Sequence, residues 1–146
     1  MGHFAKFILV GLTLILLCFT TIRCNKSNAS NSAIVNLTID LSLPQYATLN
    51  VPNNYVYVPN YGVRGLIIYR ASMTQFNVYD RSCSYLPSNS CAPLVVISTF
   101  TCADTCKNCR SQFNLTNGFV TKGPATLPLT QYQNTFDGVS LLRIYN

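Results

Sequence analysis

The sequence predicts an all-β sandwich or barrel. Three observations lead there: short β-prone runs recur about every ten residues, Gly, Pro and Asn signals punctuate them, and no window of three turns joins helical periodicity to capping residues.

In chain order, Ile34-Val35-Asn36-Leu37-Thr38-Ile39-Asp40-Leu41 places its apolar residues mostly on one parity, as a half-buried strand does. Pro44, Pro52-Asn53-Asn54 and Pro59-Asn60 mark turns, with Tyr55-Val56-Tyr57-Val58 as a short strand between the last two. Gly62 and Gly65 lead into Leu66-Ile67-Ile68-Tyr69-Arg70, an almost wholly apolar run suited to a buried strand. Phe76-Asn77-Val78-Tyr79-Asp80 alternates cleanly, and Leu94 to Phe100 is a further apolar, β-branched run. Gln112-Phe113-Asn114-Leu115 precedes Asn117-Gly118, the strongest short hairpin signal in the chain, with Phe119-Val120 as the return. Asp137-Gly138 turns the chain into Leu141-Leu142-Arg143-Ile144-Tyr145. No internal repeat is present.

A length of 146 residues suits one domain, preceded here by an export segment. Lys6 is followed by an apolar stretch from Phe7 to Thr20, the length of a signal-peptide core and short of the roughly 20 apolar residues a spanning helix needs. Residues 1–23 are therefore read as a signal peptide. Cys24 and the polar tract behind it, residues 24–33, read as an acylated cysteine on a flexible tether, although Arg23 stands where a small residue is usual. The domain proper spans 34–146. These readings place the protein at the cell envelope, on the periplasmic side or in the outer membrane, held to the membrane through a lipid.

Without residues 1–23, eight basic and four acidic residues remain, a net charge of about +4. The basic residues are scattered, and no stripe of them points to nucleic acid. Two absences restrict the chemistry further. The chain has no Glu, and its one histidine, His3, lies in the export segment. No Ser–His–Asp or Cys–His nucleophile pair can form, and no imidazole can bind a metal. An electron-transfer or non-catalytic domain is expected rather than a hydrolase.

The remaining chemistry lies in Cys83, Cys91, Cys102, Cys106 and Cys109, five cysteines within 27 positions. Disulfides are the first expectation in an exported protein, but an odd number leaves one thiol over. Cys106-Lys107-Asn108-Cys109 is a CxxC, able to reach one metal or to act as a redox pair. With cysteines in flanking loops, a tetrahedral zinc or an iron–sulfur centre comes within range.

These residues resemble the two cluster-binding loops of Rieske iron–sulfur domains: Cys83-Ser84-Tyr85, and then Cys106-Lys107-Asn108-Cys109-Arg110-Ser111-Gln112-Phe113. In that family a Cys-x-His loop and a Cys-x-x-His loop, followed by Gly-Ser-x-Phe, hold a two-iron, two-sulfur (2Fe–2S) cluster. Gly123-Pro124-Ala125-Thr126-Leu127-Pro128-Leu129 is similar to the family's Gly-Pro-Ala-rich loop, and Asp137-Gly138 to Tyr145 is similar to its last hairpin. The resemblance covers residues 35–146 and is closest to Rieske-like lipoproteins of the Bacteroidetes. It implies an antiparallel β-sandwich or barrel with two cysteine-bearing loops, and one-electron transfer with an envelope redox partner. Cys83 and Cys106 match as thiolate ligands. Both histidine positions are replaced, by Tyr85 and Cys109, which makes a Cys83, Tyr85, Cys106, Cys109 set the expected cofactor ligands. Cys83, Cys106 and Cys109 would be the metal-binding thiolates. The resemblance further implies a Cys91–Cys102 disulfide between the loops. The alternatives are a zinc site, or a cluster-free domain stapled by disulfides and serving a structural or binding role.

Overall fold

The computed structural model describes residues 33–87, 93–107 and 109–146. Residues 1–23, read as a signal peptide, Cys24 with nearly all of the segment read as a tether, and Cys91 lie outside the described residues. The described chain forms β1 (Asn36–Asp40), β2 (Tyr55–Val58), β3 (Leu66–Arg70), β4 (Phe76–Asp80), β5 (Val95–Ser98), β6 (Thr101–Ala103), β7 (Gln112–Asn114), β8 (Val120–Lys122), β9 (Gln131–Phe136) and β10 (Leu141–Tyr145). A 3₁₀ segment, Pro44–Asn50, follows β1.

Every strand pairing is antiparallel. One sheet has the order β1-β10-β9-β4-β3-β2 and the other β5-β6-β7-β8. The all-β antiparallel architecture with two cysteine-bearing loops is thus the one the chain adopts. The alternation of side chains along a strand explains how two cores share its centre. In β3, Leu66 and Ile68 enter a core inside the curled six-stranded sheet, with Ile39, Val78, Leu142 and Ile144. Ile67 and Tyr69 enter the other core, against Leu94, Cys102, Phe113 and Leu115 of the four-stranded side. A strand buried on both faces favours apolar residues, which accounts for the run Leu66-Ile67-Ile68, while the buried Arg70 at its end is paired with Leu49 O.

The turns follow their residue chemistry. Gly118 has φ +76° at the β7–β8 hairpin, where a side chain would meet the Tyr79 ring. Asp137 caps the β9–β10 turn, its Oδ1 accepting from the backbone N–H groups of Val139, Ser140 and Leu141 at 2.8, 2.9 and 3.0 Å. Two strands differ from the sequence expectation. The Leu94–Phe100 run ends in a turn at Thr99-Phe100, after which the chain folds back as β6. β9 carries Gln-Tyr-Gln-Asn-Thr-Phe, a polar run that gave no strand signal, yet it joins β4 to β10.

Candidate functional site

Two loops of the four-stranded side carry the cysteines. The first runs from β4 to β5 and holds Cys83 and Tyr85; the second runs from β6 to β7 and holds Cys106 and Cys109. Asp80 fixes the start of the first loop. Its buried carboxylate accepts from Ser82 N–H at 2.8 Å, Val63 N–H at 2.6 Å and the Tyr132 hydroxyl at 2.9 Å. Arg81 ties the two ends together: its Nε donates to Leu94 O at 3.0 Å, and its guanidinium lies 3.9 Å from the Tyr57 ring centroid.

The second loop is closed by Asp104 N–H donating to Ser111 O at 2.9 Å. Inside it, the Asp104 carboxylate accepts from Cys106 N–H at 2.7 Å, and Cys109 N–H donates to Cys106 O at 3.2 Å. The segment Gly123–Leu129 packs over both loops. Ala125 N–H donates to Ser111 Oγ at 2.8 Å, and Ser84 Oγ donates to Leu127 O at 2.6 Å.

This scaffold brings Cys83 and Cys109 into contact, with their sulfurs 3.0 Å apart and both thiols free and buried. Cys109 also donates to Ser111 Oγ at 3.1 Å. Asp104 joins them: one ligand atom from each of Cys83, Asp104 and Cys109 lies within 4.8 Å of the other two. Burial, and then the hydrogen bond with Cys109, push the Cys83 thiol up to about 12, while the Tyr85 N–H aimed at its sulfur works the other way.

The other residues singled out in the sequence sit elsewhere. The Tyr85 side chain is 47% exposed, whereas Cys83 and Cys109 are buried. Cys106 is disulfide-bonded, and because Cys83, Cys102 and Cys109 are free thiols its partner lies outside the described residues. Cys102, which the resemblance pairs with Cys91, is instead a free thiol on β6. There it faces the core opposite Val96 and Phe113. Burial pushes this thiol up to about 12 as well.

The arrangement does not fit the ligand set of a two-iron, two-sulfur cluster. Such a cluster needs four ligands, two for each iron. Here Cys106 has no free thiol to give and Tyr85 is half exposed, so of the four expected ligands Cys83 and Cys109 are the two that meet. Asp104 is the residue that sequence reasoning missed. The signal available was its place two residues before Cys106, where an Asp side chain readily caps a turn. A separate groove of about 500 Å³ runs along β4 and β9, lined by Gln75, Asn77, Gln131 and Gln133 among others, and shares no residue with the cysteine loops.

No family model and no curated protein matches the chain. Among solved structures it is similar to a chain in the complex of reduced oxygenase and oxidized ferredoxin in carbazole 1,9a-dioxygenase. The identity is 15%, over 77% of this chain and 92% of that one, with a TM-score of 0.47, a likeness too slight to assign a function.

Proposed function

We propose that this chain is an exported, lipid-tethered envelope protein whose Rieske-like domain has given up its cluster for a structural or binding role. The basic, apolar start and Cys24 support export and tethering. The order of the two loops, the Gly123–Leu129 segment and the last hairpin supports the Rieske-like reading. The observation that carries the loss of the cluster is Cys106: the residue at a thiolate-ligand position is tied up in a disulfide. With Cys24 acylated and three other thiols free, Cys91 is the cysteine left to pair with it. That bond would link the two loops, the task a shared cluster performs in the family.

The test is visible absorption, with iron and acid-labile sulfide analysis, on full-length protein purified without oxygen. A colourless protein free of iron and sulfide is the expected result. Two irons and two sulfides per chain would restore one-electron transfer as the function. Labelling with a radioactive fatty acid, lost in Cys24→Ser, tests the tether separately.

A further inference from the structure

We propose that Cys83, Asp104 and Cys109 bind a single zinc-like divalent cation, using ligands different from those the Rieske resemblance implies. All three are buried, come from two loops, and hold their ligand atoms within 4.8 Å of one another. Two thiolates and a carboxylate suit a borderline-soft cation, and three protein ligands leave one tetrahedral position for water. As the cation binds, Cys83 and Cys109 each release a proton to solvent. Two thiolates and a carboxylate around a dication leave the site with a net charge of −1.

The chemistry of the group favours a cation over a second disulfide. At 3.0 Å the sulfurs are not bonded, in a loop pair where Cys106 has already formed its own disulfide. That distance lies between the ~2.05 Å of a disulfide and the ~3.8 Å of two thiolates on tetrahedral zinc, and a modest side-chain rotation reaches either. Asp104 decides between the two. Its side chain, in a residue 7% exposed, faces two sulfurs, and a buried carboxylate is costly without a positive partner. Next to a neutral disulfide its carboxylate would have the Cys106 N–H as its hydrogen-bond donor and no positive charge. Beside a cation it gains a full charge interaction. Ser111 completes the arrangement by holding Cys109, and is itself held by Ala125 N–H.

The experiment is zinc analysis of the full chain purified without chelator, followed by cobalt(II) titration of reduced, metal-stripped protein. One zinc per chain is expected, and cobalt should give thiolate charge-transfer bands and tetrahedral visible bands at one equivalent. Cys83→Ser and Asp104→Asn should weaken cobalt binding by about tenfold or more, while Cys102→Ala leaves it unchanged. If either ligand variant fails to fold, the titration of unaltered protein still decides. Folded, reduced protein without cobalt bands would overturn the site, as would a Cys83–Cys109 disulfide in zinc-free protein. Neither outcome touches the cluster-free reading, whereas two irons and two sulfides would overturn both.

Discussion

Cys83 and Cys109 are 26 positions apart in the chain, yet their sulfurs lie 3.0 Å from each other. That contact depends on groups that are not themselves cysteines. Asp80 and Arg81 set the first loop, Asp104 and Ser111 close the second, and Ala125 holds Ser111 from above. The site is therefore an outcome of loop anchoring, and its stability can be probed at the anchors.

Asp80 is the first anchor. Asp80→Ala removes three hydrogen bonds to one buried carboxylate and leaves the Tyr132 hydroxyl without its acceptor. A loss of about 3 kcal/mol is expected by urea unfolding, against about 1 kcal/mol for Tyr132→Phe.

Gly62 belongs to the same anchor. It has φ +66°, and a side chain there would run into Asp80 Oδ2 and come within 2.8 Å of the Tyr132 hydroxyl. Gly138, at φ +85°, has nothing within 4 Å of where a side chain would stand. Gly138→Ala should cost only the left-handed backbone term, about 1 kcal/mol, and Gly62→Ala should cost clearly more by the same unfolding assay.

Cys102 should be inert while the protein is folded. Its thiol is fully buried, and burial pushes it up to about 12, so almost no thiolate forms near neutrality. A small alkylating reagent at pH 8 should modify it only after unfolding. Rapid labelling of the native protein, read by peptide mass, would contradict its placement on β6.

The same burial gives stability a pH dependence. A Cys102 thiol raised from 9.0 to about 12 means that the folded state holds the proton more tightly than the unfolded state. Its contribution is complete below pH 9 and is lost as pH rises from about 9 through about 12. Burial raises Tyr79 and Tyr132 in the same direction, with loss beginning above their ordinary value of 10.0. Cys102 alone should lower the unfolding free energy by on the order of 2 kcal/mol between pH 8 and 10.5, so the fall should be smaller by about that amount in Cys102→Ala.

Much of the fold was legible in the sequence because burial imposes a pattern. The doubly buried β3 reads as an apolar run, and Asn117-Gly118 and Asp137-Gly138 mark their hairpins by turn chemistry. β9 was hidden because its inward positions include Tyr132 and the half-buried Asn134, while Gln131, Gln133 and Thr135 face out. An amide-rich strand alternates in burial without alternating in hydropathy. At the site, spacing alone could not separate Cys102 from Cys106. The two are four positions apart, but one lies on a strand facing the core and the other in a loop. Asp104 was illegible because a single carboxylate carries no pattern, and only the fold shows it beside two thiols.

The most direct test is a non-reducing peptide map of the mature protein, alkylated on denaturation. We predict that Cys106 appears in a disulfide-linked peptide with Cys91, while Cys83, Cys102 and Cys109 appear as alkylated thiols. Recovery of Cys106 as an alkylated thiol, with Cys102 in the disulfide, would contradict the account and return Cys106 to the set of available metal ligands.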